Sequence, residues 1–208
     1  MLNLKHGEEG IRNMRYYIAD CHFGHEKVRQ LDQRPFETVE QMDTYMIEQW
    51  NRVVKKNRDE VYILGDFCIG KGDQTNEVLS MLRGKKYLIT GNHDQRFLRD
   101  KQFDASLFQW IKSYAEIHDN NRKVVLSHYP IICYHGQYLG DISYMLYGHV
   151  HDTMDYKNVR RFVRESRQCV YGSEQKSLSC NLINCFAGFS DFAPCTLDQW
   201  IKMEEEYS

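Results

Sequence analysis

Residues Arg15 to Phe23 read RYYIADCHF, a run of β-favouring side chains that stops at an acid and an imidazole, Asp20 and His22. The same form returns further along the chain. EVYILGDF (60–67) is an apolar strand running into Gly65-Asp66, and KYLIT (86–90) runs into Gly91-Asn92-His93-Asp94. KVVLS (123–127) precedes His128, and ISYMLY (142–147) precedes Gly148-His149-Val150-His151. Each apolar run is followed at once by an oxygen or imidazole donor.

Helices fill the spaces early in the chain. Thr38 to Gln41 is a T-x-x-Q cap, and Val39, Met42, Met46, Trp50 and Val53 follow at helical spacing. A Gly-rich loop, Gly70-Lys71-Gly72, leads to a short helix expected over 76–82 and stopped by Gly84. Later the pattern is strand-rich: 113–118 and 123–127 flank the turn Asp119-Asn120-Asn121, and 181–189 is a last apolar strand. A second T-x-x-Q cap, Thr196 to Gln199, opens a C-terminal helix. This order predicts an α/β protein with mixed sheets packed face to face and helices outside. One domain is expected over 1–208, with 1–13 an extension before the first strand and the polar stretch 152–180 an insertion.

A chain of 208 residues with 42% hydrophobic and 27% charged residues can build a core, which excludes wholesale disorder. Its formal charge of -2 argues against a global electrostatic funnel for long nucleic acid or an anionic membrane. The seven cysteines are odd in number and form no C-x-x-C pair, so reduced thiols and a cytoplasmic protein are expected. No apolar run reaches the ~20 residues needed to span a bilayer, and MLNLKHGEEG carries no signal-like stretch.

Ligand sites in open α/β sheets form at the carboxyl ends of strands, so the strand-end donors are expected to converge. Asp, His and Asn without thiolates suit manganese, iron, zinc or cobalt rather than copper(I). They are too many for one tetrahedral ion, and two ions sharing a carboxylate is the natural reading. Asp20 and His22 lie two apart, which in extended backbone puts both on one side and Cys21 on the other. His149 and His151 repeat that spacing.

DCH, GD, GNHD, SH and GHVH in this order resemble the calcineurin-like metallophosphoesterase superfamily, in particular its small bacterial and phage phosphoesterases, over 16–152. DCHFGHEKV and the nearby Arg34-Pro35-Phe36 add to the likeness. The resemblance implies a four-layered α/β sandwich, two mixed sheets flanked by helices. It implies that Asp20, His22 and His151 hold one divalent ion, that Asn92, His128 and His149 hold a second, and that Asp66 bridges them. The ions implied are manganese first, with iron, zinc, cobalt or nickel as alternatives. It also implies that His93 faces the substrate phosphate while Asp94 orients its imidazole. A metal-activated hydroxide then attacks phosphorus, and an imidazole, which exchanges protons near neutral pH, suits protonation of the leaving oxygen.

The expected activity is hydrolysis of a phosphomonoester or phosphodiester, with a small nucleotide-like substrate. Two other readings stay open: a nuclease using the cluster Arg160, Arg161, Arg164 and Arg167 on short nucleic acid, and a metal-stabilised scaffold that docks a partner. The sequence after Asp66, FCIGKG, lacks the D-R-G of the Ser/Thr protein phosphatase branch, which disfavours phosphoprotein substrates. His25 is a candidate substrate contact or a solvated loop residue. Arg34 is a candidate phosphate contact or part of a structural turn. Tyr129 is expected to pack the pocket beside His128.

Overall fold

The computed structural model describes residues 13–172, 176–177 and 180–206. All but Asn13 of the expected extension, and 173–175 and 178–179 of the expected insertion, lie outside the described residues. The elements run β1 (Arg15–Ile18), α1 (Glu26–Leu31), α2 (Val39–Val53), β2 (Glu60–Leu64), α3 (Gly72–Met81), β3 (Lys85–Ile89) and α4 (Gln95–Leu98) in the first half. The second half holds β4 (Phe108–Lys112), β5 (Tyr114–Asp119), β6 (Arg122–Ser127), β7 (Ser143–Tyr147), α5 (Met154–Gln168), β8 (Val170–Tyr171), β9 (Lys176–Ser177), β10 (Leu182–Asn184) and α6 (Leu197–Glu206).

Two four-stranded sheets, β1-β2-β3-β4 and β10-β7-β6-β5, form the inner layers. The first is parallel throughout. The second is mixed, since β5 and β6 pair antiparallel across Asn120 and Asn121, whose φ values of 49° and 65° suit a tight hairpin. Alternation sorts the strands' side chains. Tyr17, Tyr62, Leu64, Val124, Leu126 and Leu146 fill one buried cluster. Ile18, Val61 and Ile63 face a second cluster with Met42, Met46 and Trp50 of α2 and Leu79 of α3. Val125, Met145 and Tyr147 face a third, with Tyr156 and Val163 of α5. A period-two strand buried on both faces demands this order of helix, sheet, sheet, helix. Among the described residues no helix is long and apolar enough to cross a membrane.

Several boundaries differ from expectation. The Thr38 hydroxyl accepts from Gln41 N at 3.2 Å, but the Gln41 side chain accepts from Glu37 N rather than from Thr38 N. The expected 76–82 helix begins earlier, at Gly72, because the Gln74 amide oxygen caps Lys71 N at 3.0 Å. Residues 154–168, expected within a polar insertion, form an amphipathic helix packed on the second sheet. The strand expected over 181–189 is only Leu182–Asn184, after which Phe186 bridges to Ala19 and the chain turns.

Candidate metal centre

β1, β2 and β3 of one sheet and β6 and β7 of the other end at the same edge of the sandwich. The residues that follow them meet there. Asp20, His22 and His151 form one group whose donor atoms lie within 4.8 Å of one another, and Asp66, His128 and His149 form a second. Asp66 Oδ2 faces both, 3.8 Å from His22 Nε2 and 3.5 Å from His128 Nε2. Asn92 Oδ1 closes the second group, 3.1 Å from His128 Nε2 and 2.9 Å from His149 Nδ1.

The expected alternation across Asp20 and His22 is not how they converge. The strand ends at Ile18, and both residues adopt left-handed backbone at φ 55°. Asp66, His149 and His151 do the same at 52°, 72° and 44°. Such backbone is disfavoured for non-glycine residues and persists only where the surroundings fix it. Here the fixing is visible. Both Asp20 oxygens accept from His149 N at 3.0 Å, and Asp66 Oδ1 accepts from His93 N at 2.8 Å, leaving Oδ2 toward the imidazoles. Gly91 is required by this closeness, because a Cβ there would lie 2.2 Å from Asp66 Oδ1. Cys21 turns into the apolar core beside Ile18 and Phe23 and is no donor.

Two of the imidazoles are held by their far nitrogens. His128 Nδ1 donates to Leu64 O at 2.8 Å, leaving Nε2 toward Asp66. His151 Nδ1 donates to Asp32 Oδ1 at 2.7 Å, leaving Nε2 toward Asp20 and His22. This carboxylate–imidazole pairing fixes tautomer and ring orientation, as at metal sites generally. Asp32 was not foreseen, since nothing in LDQRPF ties it to a histidine 119 positions away. Asn184 was also missed; its amide donates to His151 O at 2.9 Å.

Two expected roles need correction. Arg34 is no phosphate contact: its side chain is 1% exposed and its fork is committed to protein oxygens. It donates to Cys21 O at 2.8 Å, Asp20 O at 2.9 Å and Asp32 Oδ2 at 2.9 Å, so it braces the loop after β1. Asp94 does not hydrogen-bond the His93 ring. Its oxygens accept from the backbone of Asp66 at 3.1 Å, Phe67 at 2.8 Å and Gly91 at 2.7 Å, tying two donor loops together. His93 itself is 43% exposed at the mouth, its Nε2 3.9 Å from Asp66 Oδ2. His25 sits beside it, with Nδ1 3.3 Å from His22 Nδ1 and ring centroids 5.9 Å apart from His93. The arginine cluster is divided along α5. Arg160 pairs with Glu204 at 3.5 Å and Arg167 bonds Cys180 O at 3.2 Å, while Arg161 and Arg164 are exposed.

Electrostatics shows why the donor set wants a cation. Burial pushes the Asp20 carboxyl up to about 6, and pushes the His22 imidazole well below its ordinary value. Burial also opposes charge on Asp66 and His128. Their mutual hydrogen bond and charge outweigh it, holding Asp66 down at about 2 and lifting His128 to about 9. Among the described residues no lysine or arginine side chain bonds the Asp20 or Asp66 carboxylate. Two buried carboxylates, four imidazoles and an amide oxygen therefore fit divalent transition-metal ions, whose charge offsets the desolvation.

A family model for calcineurin-like phosphoesterases matches residues 16–168, a span that includes every donor named above. The chain is 28% identical over 193 residues to the uncharacterized protein MJ1445 of Methanocaldococcus jannaschii, covering 92% of this chain and 91% of that one. Among solved structures, the protein of unknown function AQ665 from Aquifex aeolicus shares the fold. Its TM-score is 0.64 at 24% identity, over 92% of this chain and 100% of the other. The sandwich, the strand-end donors and the family match agree: this chain belongs to the calcineurin-like phosphoesterase family.

Proposed function

We propose that the protein is a two-metal hydrolase of small phosphate esters, nucleotide-like monoesters or diesters, acting in a reducing cytoplasm. The observation that carries this reading is Asp66 Oδ2, one carboxylate oxygen facing the imidazoles of both donor groups at 3.8 and 3.5 Å. Asp20, His22 and His151 would hold one ion and Asn92, His128 and His149 the other, with Asp66 available to both. Manganese is the first candidate, with iron, zinc, cobalt and nickel also suited to these donors. Divalent ions bound there would supply Lewis acidity toward phosphoryl oxygens and a more acidic water.

The chain's own residues do the rest. Asp32 and the Leu64 carbonyl keep His151 and His128 in the tautomers that present Nε2. Asp94 and Arg34 hold the donor loops in register. His93, exposed at the mouth, meets the phosphoryl oxygens and gives a proton to the leaving oxygen as the ester bond breaks. His25 lies on the same side and contacts the substrate with it. A reducing compartment accords with seven free cysteines. The nuclease alternative loses support, because Arg160 and Arg167 are engaged with α6 and the chain before β10.

The test joins metal analysis of the purified protein to a manganese-supplemented panel of p-nitrophenyl phosphate, bis-p-nitrophenyl phosphate and cyclic nucleotides. About two ions per chain and turnover of at least one ester are expected. A metal-loaded protein inert on every ester would favour the scaffold instead.

A further inference from the structure

The two histidines of GHVH each rest against an aromatic ring, and the two rings differ in exposure. Phe186 stacks on His151, with centroids 4.8 Å apart and planes 22° apart, and it is 4% exposed. It is a wall of the core. Tyr129 meets His149 edge-on at 4.5 Å and His128 at 5.0 Å, yet it is 48% exposed. Among the described residues the other largely exposed aromatic rings are Tyr114 and Tyr138, and neither makes a ring contact with a site histidine. Nor does the Tyr129 hydroxyl have a hydrogen-bond partner among the described residues. Tyr129 is thus oriented by two imidazoles, offers open surface to solvent, and stands directly beside the donor group of Asn92, His128 and His149.

We propose that Tyr129 is a specificity-determining residue, a stacking platform for a planar aromatic ring carried by the phosphate ester, as in a nucleotide base. The inference rests on the phosphoesterase reading above and adds a substrate class to it. A phosphate seated among the donors leaves its ester group to extend over the mouth, and a flat ring extending toward His149 meets Tyr129. A tyrosine fixed by two neighbouring rings loses little side-chain freedom on stacking, so most of the contact energy reaches affinity. Because every base has a π-face, such a platform selects aromatic from aliphatic esters without choosing among bases.

The test compares adenosine 5′-monophosphate with ribose 5-phosphate, which share the phosphate and the sugar and differ in the base. The manganese-loaded wild type, Tyr129→Ala and Tyr129→Phe are each assayed for phosphate release and, by calorimetry, for binding. The ratio of kcat/KM for the nucleotide over the sugar phosphate should fall about tenfold in the alanine variant, the scale of base–aromatic stacking, and stay near wild type in the phenylalanine variant. The affinity ratio should move in the same way. Equal losses on both ligands, a loss in the phenylalanine variant matching that in alanine, or no wild-type preference for the nucleotide would overturn the platform while leaving the hydrolase reading standing. Nucleotide binding that depends on Tyr129 without turnover of these two esters or of any ester in the panel above would keep the platform and overturn the hydrolase reading.

Discussion

The carboxylate of Asp32 accepts from His151 Nδ1 on Oδ1 at 2.7 Å and from Arg34 on Oδ2 at 2.9 Å, so a buried arginine is linked to an imidazole of the candidate centre through one acid. Asp32→Asn keeps the shape but removes the charge that orients the ring. Metal affinity should fall about 10- to 100-fold, the usual effect of removing such a partner. Titration with manganese by calorimetry checks this, and an unchanged affinity would show that His151 needs no orienting acid.

Asp66→Ala removes the oxygen that both donor groups face. The variant should lose both ions and turnover together, as read by metal analysis of folded protein. Normal metal content in that variant would overturn the shared-carboxylate arrangement.

His93→Ala should leave metal content intact, because its ring stands at the mouth and is 43% exposed. The catalytic rate should drop by roughly 10²–10⁴ if it protonates the leaving oxygen. The drop should be smaller on p-nitrophenyl esters, whose leaving group needs no proton, than on alkyl esters. An equal effect on both would assign His93 to phosphate binding alone.

The pairing of His128 with Asp66 makes the metal-free protein sensitive to pH. The pKa of His128 is lifted from 6.5 to about 9, so its contribution is complete below 6.5 and lost as pH rises through about 9. Asp66 is lowered from 3.8 to about 2, so its contribution is present above 3.8 and lost as pH falls through about 2. With chelator, the melting temperature should therefore decline between pH 6.5 and 9. Manganese competes with the His128 proton, so the increment it adds should widen over the same window. An increment that stays constant across this range would remove His128 from the donor set.

The architecture and the convergence of the strand-end side chains were legible because they rest on short-range signals. An apolar run of strand length followed by Asp, Asn or His can be read residue by residue, and the α/β order follows from the alternation of such runs with capped helices. What was not legible is what depends on distant partners. Asp32 finds His151 across 119 positions, and Asp94 reaches the amides of Asp66 and Phe67 on a neighbouring strand end. For Arg34 the sequence left a phosphate contact and a structural turn both open, because charge is visible in a sequence and burial is not; its buried fork takes the structural role. Asp20 and His22 converge through left-handed backbone beyond the end of β1 rather than through the alternation of an extended chain, a conformation the sequence around them does not announce.

That left-handed backbone sets retention of the site against thermal robustness. Glycine adopts positive φ freely, so His149→Gly relieves backbone strain and gives up only the exposed ring's edge contacts with Tyr129 and His128 and its contact with Asn92. A screen that rewards heat resistance alone would tolerate this change and empty a donor position. Only selection that also reads turnover keeps an imidazole there.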